Sequence, residues 1–495
     1  MEKTNLVILT QNVKLESLVK VKSILDSRYL TVLVTTHLLF ENELKTIHHI
    51  LGDFTSLSFA DFLTDREMEQ CDYNAYSQEK DELSAYYSEI KKEKNRLIIS
   101  KISKRYDAAK KILACDDLGI DVEEWTNAGF QRVFLDYYHV SKDSKSEKKV
   151  NKISIIRNII GYLDKPIYTT VVNNKKYIFY GRLERIQYRL EPSFRLDRKE
   201  NWIFLLTVIC AKFFRRAYCR KNIEHISTLH ESTGFRFPKL KDYHVGIIQD
   251  GYLPPNYSSY YLKFIPPNVY YYAWDTLGMQ VFRNQGIPVK LLPFRKKLYI
   301  PDPVFRSIKK VLCIASGAGD WTAMKNRSDE DAMIVAFVEI AKKHPEINFV
   351  YRCHPTWVHP DHQGVNSINR VAEFFAWLGL PNLTLSGNIP SLDIKHFQLS
   401  ISRNSLEEDL KSADFVFGEH SVSMIDAAFK QIPFASVNVT GRRNFFVGMT
   451  NLGFPHCESI DDIESVLSNC EKNAFIDNYK NAVARYNKMT DEEYE

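Results

Sequence analysis

A histidine–proline pair stands where an apolar strand pattern stops. Residues 349–351 form a short run of strand-forming side chains, which predicts a buried strand. Pro355 cannot continue a hydrogen-bonded ladder, so the chain leaves the sheet in an extended form. Ligands of parallel α/β sheets bind beyond the carboxyl ends of the strands. We therefore expect His354, and Arg352 two residues before it, to face a ligand.

A second group of polar side chains follows a similar pattern. The strand-like residues 414–417 lead to Ser421 and Ser423, which stand at the start of a helix pattern. Hydroxyls and unpaired N–H groups near Met424 would form an anion site, because a helix dipole is positive at its N-terminus. The two groups together predict a phosphate-bearing ligand. A plain helix cap at Ser421, and a backbone-capping role for His354, remain open.

The elements that position these groups follow a regular order. Residues 311–315 predict a strand, Gly317 and Gly319 a loop, and residues 329–343 a helix before the strand at 349–351. Strand, glycine-rich loop, helix and strand are the unit of a doubly wound parallel sheet. Because glycine lets a backbone approach a ligand closely, we expect Gly317 and Gly319 to line a nucleotide pocket.

Bulk composition limits the class of protein. The chain has 495 residues and a net charge of +5, which predict two or three domains and argue against a nucleic-acid partner. Its eight cysteines lack metal-ligand spacing and predict a reducing compartment. The N-terminus lacks the pattern of a signal peptide, and the longest apolar run, residues 202–214, is too short to span a bilayer. We expect a cytoplasmic protein. Basic residues after that run leave peripheral association with the inner face of the membrane open.

The first part of the chain alternates between strand and helix patterns. Strands are predicted at residues 6–9, 30–35, 57–59, 130–138, 168–172, 176–180, 245–250 and 270–274. Residues 67–111 predict an inserted helical segment, and Asn173-Asn174 predicts a hairpin. The proline-rich residues 288–303 predict a linker.

These patterns predict an α/β protein with two Rossmann-like domains facing a cleft and a helical insertion in the N-terminal half. The predicted boundaries are 1–290 for the first domain and 305–460 for the second, with a helical segment at 461–495 that crosses back. Two facing domains of this kind, with a phosphate site in the second, describe the GT-B glycosyltransferase architecture.

Three short motifs resemble those of one glycosyltransferase family. Arg352-Cys353-His354-Pro355 is similar to the histidine–proline motif of transferases that use CMP-activated acidic sugars, and Ser421-Val422-Ser423 is similar to their paired-hydroxyl motif. Gln249-Asp250-Gly251 resembles the aspartate–glycine strand end of bacterial retaining β-Kdo transferases of lipopolysaccharide O-antigen and capsule synthesis. The resemblance spans residues 245–439. Leu253-Pro254-Pro255 replaces a basic residue of the capsule enzymes, which leaves the acceptor open.

The resemblance implies a retaining transferase that moves β-Kdo from CMP-β-Kdo to a glycan acceptor, which we expect to be lipid-linked. Asp250 would attack the anomeric carbon in a double displacement, and Glu184 or Glu191 would handle the proton of the acceptor. A tight-turn role for Asp250 and surface positions for the glutamates are the plainer alternatives. We expect no cofactor and no metal, because one leaving phosphate can be stabilised by hydrogen-bond donors. The residues expected to bind the donor are His354, Pro355, Arg352, Ser421, Ser423, Gly317 and Gly319.

Two other classes of function fit the same residues. One is a different CMP- or CDP-dependent transferase on this scaffold, such as a sialyltransferase or a CDP-polyol phosphotransferase. The other is a non-catalytic protein that binds a nucleotide sugar and helps to assemble a polysaccharide complex. Release of CMP from defined donors separates these alternatives.

Overall fold

A computed structural model of the chain contains three β-sheets with helices packed on them, which confirms the predicted α/β class. The structure describes residues 3–9, 15–77, 83–106, 109–114, 122–134, 167–172, 175–180, 223–227, 245–248, 269–273, 275–284, 286, 288–291, 299–315, 327–355, 364–389, 399–419, 421–440 and 447–494. Within these ranges, no helix combines the length and the apolar character that a membrane crossing requires.

The N-terminal sheet is entirely parallel. Its strands are β1 Thr4–Leu9, β2 Leu30–Thr35, β3 Phe54–Ser58, β4 Lys110–Ala114 and β5 Gln131–Phe134. The helices of this part are α1 Leu15–Ile24, α2 Glu41–Leu51, α3 Asp65–Ser77, α4 Leu83–Arg105 and α5 Val122–Asn127. The strand order is β3-β2-β1-β4-β5, so the chain reverses its direction across the sheet between β1 and β4.

Strands β1 and β2 are apolar along their whole length because helices cover both faces of the sheet. On one face Leu6 packs with Ile98 of α4 and Trp125 of α5. On the other face Val7 packs with Leu18 of α1. Helices α3 and α4 lie between β3 and β4 in the chain, and α4 forms part of the core of this sheet. The predicted helical insertion is therefore a layer of the sheet.

The middle sheet has six strands. They are β6 Ile167–Val172, β7 Lys175–Tyr180, β8 Ile223–Ser227, β9 Val245–Ile248, β10 Val269–Ala273 and β11 Val289–Leu291. They lie in the order β11-β10-β9-β8-β7-β6, and only β6 and β7 pair antiparallel, as the predicted hairpin. Strand β11 lies in the segment predicted as a linker. Pro288 precedes it, and a proline at the start of an edge strand breaks no ladder bond.

Helix α6, Thr276–Asn284, follows β10. The Asp275 carboxylate accepts a hydrogen bond from the Gly278 N–H at 2.7 Å and caps the helix. Gly286 has a φ of 72°, a left-handed conformation that glycine adopts without strain and that ends helices.

The C-terminal sheet has seven parallel strands. They are β12 Lys310–Ile314, β13 Asn348–Arg352, β14 Leu383–Ser386, β15 Ser400–Ser402, β16 Phe415–Gly418, β17 Phe434–Val437 and β18 His456–Cys457. The helices are α7 Arg327–Lys343, α8 Gly364–Leu378, α9 Leu406–Ser412, α10 Val422–Phe429, α11 Val447–Asn451, α12 Ile460–Asn469 and α13 Asn473–Tyr494. The order β15-β14-β13-β12-β16-β17-β18 reverses between β12 and β16, which confirms the predicted doubly wound sheet.

Contacts group the chain into two compact units. The first contains residues 1–137 and 300–483, and the second contains residues 138–299 and 484–495. The sequence predicts a single Rossmann-like domain over 1–290, whereas these residues contribute strands to two sheets. The patterns of the two sets of strands look alike in the sequence, because hydrophobic periodicity does not indicate which sheet a strand joins.

In the first unit, the buried side chain of Arg370 on α8 joins elements of the N-terminal and C-terminal sheets. Its guanidinium pairs with Glu43 of α2 at 2.6 and 2.8 Å and with Asp331 of α7 at 2.7 Å. Its Cζ atom lies 3.9 Å from the centroid of the Phe40 ring, which stacks on Phe374 with 4.3 Å between centroids. Burial alone lowers the pKa of Arg370, but the two carboxylates outweigh it and raise the pKa above its ordinary value.

The last helix, α13, contributes to both units. In the first unit, Tyr479 is buried and its hydroxyl accepts a hydrogen bond from the Phe434 N–H at 3.0 Å. In the second unit, the hydroxyls of Thr490 and Thr276 lie 3.1 Å apart. The predicted helical segment at the C-terminus is thus shared between the two units.

Replacement of Arg370 by methionine should destabilise the first unit. The change leaves the Glu43 and Asp331 carboxylates partly or fully buried without their cation, which costs about 3–5 kcal/mol. Urea unfolding of the whole chain measures the loss. The control is Lys342→Ala, which removes an exposed pair with Glu339 and should cost less than about 1 kcal/mol. Equal stability of the two variants would mean that apolar packing alone holds the layers together.

Candidate functional site

The strands of the C-terminal sheet bring the predicted phosphate-binding residues to one edge. His354 follows the carboxyl end of β13, and Ser421 follows the carboxyl end of β16. Strands β13 and β16 both pair with β12, so their ends are two strand spacings, or about 10 Å, apart. The strand order reverses at this place, which is where doubly wound sheets bind ligands.

Alternate residues at the end of β13 face opposite sides of the sheet. Tyr351 and Cys353 lie in the core formed with α7, α8 and α12. Arg352 faces the other side, where it pairs with Asp409 of α9. The ladder continues past the strand, because the Cys353 N–H donates to the Ser386 carbonyl at 2.9 Å, so His354 follows on the side of Arg352. Burial raises the pKa of the Cys353 thiol and keeps it neutral.

Ser421 is the N-cap of α10. Its hydroxyl oxygen accepts from the Ser423 N–H at 3.3 Å, and its carbonyl accepts from the Met424 N–H at 3.0 Å. The N–H of Met424, which the sequence assigns to the anion, is therefore occupied within the first turn. Among the described residues, no acceptor receives the hydroxyl proton of Ser421 or Ser423. Both hydroxyls thus remain donors for a ligand.

The other serine caps of this part use their hydroxyl protons. Ser405 caps α9 and donates to Glu408 at 2.8 Å, and Ser459 caps α12 and donates to Asp462 at 2.8 Å. In each case an acidic residue stands three positions after the cap, as in a capping box. At α10 that position is Met424. Ser421 can therefore donate its hydroxyl proton to a ligand, whereas the hydroxyl protons of Ser405 and Ser459 are already hydrogen-bonded.

Gly418 allows α10 to begin close to the sheet. A Cβ atom at this position would lie 2.8 Å from the Met424 sulfur and 3.2 Å from the Ile314 carbonyl oxygen. Both distances are shorter than ordinary contacts, so a Cβ atom would require the flexible Met424 side chain to move and the Ile314 carbonyl to shift by a few tenths of an ångström.

The two helix N-termini at this edge differ in their charge. The first turn of α10 has no acidic residue. Helix α7, which follows β12, begins with Asp329, Glu330 and Asp331, all of them buried. The carboxylate of Asp329 accepts from Thr440 at 2.8 Å, and Glu330 accepts from the Tyr351 hydroxyl. Burial and the nearby Glu330 raise the pKa of Tyr351 well above its ordinary value. The helix dipole therefore favours an anion more at α10 than at α7, although the buried carboxylate of Glu419, two residues before the α10 cap, opposes it.

Arg352 is held by a buried carboxylate. Its Nη1 atom lies 2.6 Å from the Asp409 Oδ2 atom and 3.0 Å from the Asn404 carbonyl oxygen. Asp409 also accepts from the Ser386 hydroxyl at 2.5 Å and from the Asn404 side-chain amide at 3.0 Å. The sequence did not indicate this cluster, because the partners of Asp409 stand up to 57 residues away along the chain.

Several predicted site residues lie outside the described residues. These are Gly317, Gly319, Asp250 and Glu184. Strand β9 ends two residues before Asp250 and belongs to the middle sheet. Among the described strands of that sheet, the order from β7 to β11 does not reverse. Pro355 is described and exposed, next to His354.

Glu419 is a further buried residue at this edge, directly after β16. The sequence placed it between the strand and the serines but gave it no role. A carboxylate so close to a reversal of strand order is a signal that sequence reasoning passed over. In the described part of the chain, no group of three His, Cys, Asp or Glu side chains is arranged to hold a metal ion. The expected metal independence stays a prediction.

Replacement of Gly418 by alanine should force the Met424 side chain to move. Overpacking of this kind costs about 1–3 kcal/mol. Thermal unfolding of Gly418→Ala, Met424→Ala and the double variant measures whether the two positions are coupled. Because the closest contact is with the Met424 side chain, the double variant should lose less stability than the sum of the single variants. Simple additivity would contradict the close approach of α10.

Comparisons with known proteins add little. No protein-family model and no curated protein matches the chain. A crystal structure of UDP-N-acetylglucosamine 2-epimerase is similar with a TM-score of 0.28 and 8% sequence identity, over 100% of this chain and 95% of that chain. A similarity at this TM-score carries no inference about the function of this chain.

Proposed function

We propose that the chain is a retaining glycosyltransferase that moves β-Kdo from CMP-β-Kdo to a glycan acceptor in the synthesis of a surface polysaccharide. The C-terminal sheet would bind the donor, and Asp250 would act as the nucleophile. The proposal includes a lipid-linked acceptor and a cytoplasmic location, with contact to the inner face of the membrane.

One observation carries the proposal. Ser421 caps α10 beside the reversal of strand order, and its hydroxyl proton has no acceptor among the described residues. A donor of this kind, at a helix N-terminus without acidic residues, suits a phosphate oxygen. Ser423 provides a second hydroxyl. His354 follows β13, which pairs with β12 on the side opposite to β16. The motif resemblance then favours a CMP-activated acidic sugar among phosphate-bearing ligands.

The donor-binding residues would act on the leaving group. As the bond from the anomeric carbon to the phosphate oxygen breaks, negative charge grows on the phosphate of CMP. Preorganised donors stabilise that charge most where it develops. The hydroxyls of Ser421 and Ser423 and the imidazole of His354 would supply those donors. Metal independence follows in this proposal because a single leaving phosphate is within the reach of such groups.

Asp250 would form the covalent intermediate. Its carboxylate oxygen attacks the anomeric carbon, the bond to CMP breaks, and a glycosyl ester of Asp250 remains. The acceptor hydroxyl then attacks the same carbon and frees the carboxylate, while a base takes its proton. Glu184 is our candidate for that base. Two inversions give overall retention of the β-configuration.

Release of CMP from defined donors tests the function. The protein should release CMP from CMP-β-Kdo faster than from CMP-sialic acid, and it should leave a CDP-polyol intact, because the resemblance is specific for Kdo. Asp250→Ala should abolish transfer and still bind CMP. The control Asp53→Ala removes an exposed carboxylate and should change neither property. Preference for CMP-sialic acid or the CDP-polyol would replace the donor, and full transfer by Asp250→Ala would exclude it as the nucleophile.

Calorimetric titration with CMP tests the binding residues. His354→Ala and Ser421→Ala should each weaken CMP binding by about 1–3 kcal/mol, because each removes a hydrogen bond to a charged group. His344→Ala, before the opposite end of β13, and Ser459→Ala, at the cap of α12, are the matched controls. Ser421→Ala and Ser459→Ala should both lose about 0.5–2 kcal/mol of stability through the lost cap.

Only the variants at the proposed site should lose affinity for CMP. If Ser421→Ala and Ser459→Ala behave alike in both measurements, Ser421 is a helix cap and nothing more. If His354→Ala binds CMP as the native protein does, His354 does not contact the phosphate.

A further inference from the structure

One buried carboxylate accepts hydrogen bonds from residues at the ends of three strands beside the proposed donor site. Asp409 is 0% exposed and accepts from Arg352 at the end of β13, from Ser386 at the end of β14 and from Asn404 after β15. The Gly387 N–H donates to the Ser402 carbonyl at 3.1 Å and continues the ladder past these ends. The carboxyl edge from β13 to β15 is therefore fixed by a single residue of α9.

The hydrogen bonds of Arg352 are all made by one nitrogen. Nη1 donates to Asp409 and to the Asn404 carbonyl, and these are its two N–H groups. Nε and Nη2 donate to no described residue. The side chain is 13% exposed, and neither nitrogen is among the fully buried polar atoms of the described residues that have no partner, so both reach the solvent at this edge. Three N–H groups of Arg352 are therefore available to a ligand that binds here.

The remaining edge of the guanidinium has the geometry of an oxyanion site. Nε and Nη2 lie side by side and donate in parallel to two oxygens of a carboxylate or a phosphate. Arg352 and His354 are two residues apart on the same side of the sheet, or about 7 Å along the chain. Bonding to Asp409 removes the rotational freedom of Arg352 before a ligand arrives, and less entropy is lost on binding.

We propose that Asp409 is a positioning residue that holds Arg352 through Nη1 and presents Nε and Nη2 to an oxyanion of the sugar-nucleotide donor. The inference rests on the proposed function and extends its binding site. Two groups of the donor have this chemistry, namely the phosphate and the carboxylate of the acidic sugar. Asp409 itself would touch no part of the donor.

The test is calorimetric binding of four probes to the full chain, without acceptor. The probes are CMP, CMP-β-Kdo, UDP and inorganic pyrophosphate. The variants are Arg352→Gln, Arg352→Lys, Asp409→Asn and the double variant Arg352→Gln/Asp409→Asn. Lys411→Ala is the control, because it removes an exposed charge of α9 and leaves the pair of Arg352 and Asp409 intact.

Arg352→Gln should weaken binding by roughly 10- to 100-fold, the effect of losing hydrogen bonds to a charged group. Arg352→Lys should also lose affinity, since an ammonium group cannot donate as a fork. Asp409→Asn should lose less, and its loss should disappear in the Arg352→Gln background, because Asp409 acts through Arg352. Lys411→Ala should bind as the native protein does, within about twofold, because exposed substitutions away from the site have small effects.

The probes identify the oxyanion. An equal loss for CMP and CMP-β-Kdo assigns Arg352 to the phosphate, and a loss for CMP-β-Kdo alone assigns it to the sugar carboxylate. If the native protein binds UDP or pyrophosphate and not the cytidine ligands, the proposed donor fails, and a loss of that binding in Arg352→Gln still supports the inference.

Three results would overturn the inference. The first is native affinity of Arg352→Gln and Arg352→Lys for every probe that the native protein binds. The second is a loss in Asp409→Asn that persists undiminished in the double variant, which would make Asp409 a general structural residue. The third is that the native protein binds none of the four probes, which would overturn the proposed function as well. Should Asp409→Asn fail to fold, the two Arg352 variants decide the matter.

Discussion

The buried guanidinium of Arg370 is the interaction on which the first unit depends. It satisfies Glu43 and Asp331 together and lies over the ring of Phe40. Two segments separated by more than 160 residues of chain thus form one compact unit. The loop after β2 cannot shift without leaving charges unpaired in the interior, where they are costly. Because the same network involves the first turn of α7, it also fixes one side of the C-terminal sheet.

The distribution of charge at the edge of that sheet follows from these pairings. On the side of α7, three successive carboxylates occupy the helix N-terminus, and each has a partner within the protein. On the side of α10, the first turn has hydroxyls and no acid. A doubly wound sheet offers two helix N-termini next to its reversal of strand order, and of these two the first turn of α10 is the less acidic in the described residues, although the buried Glu419 precedes its cap. The absence of an acid in the first turn of α10 includes Met424, which occupies the position where a capping box would have an acidic residue.

Most of the local structure was predictable from the sequence, and the assembly was not. Strands such as β12 and β13 are continuous apolar runs, and the hairpin at Asn173-Asn174 has a specific turn signal, so both were predicted correctly. The separate middle sheet was missed because strand periodicity does not reveal partners. His354 and Ser421 were recognised by motif, and they follow the ends of β13 and β16, the two strands that flank β12. Asp409 was missed because its role depends on contacts across three strands, and no spacing along the chain records them.

The type of donor that this edge suits can be argued from its net charge. Arg352 contributes hydrogen-bond donors but little net positive charge, because Asp409 compensates it at 2.6 Å. The hydroxyls of Ser421 and Ser423 are neutral, and the acids of α7 stand nearby in the chain. A diphosphate brings more negative charge than these described residues alone can balance. A single phosphodiester requires less compensating positive charge, because well-placed hydrogen-bond donors can stabilise one leaving oxyanion. In the proposed function, the described residues of this edge therefore suit a single phosphodiester better than a diphosphate.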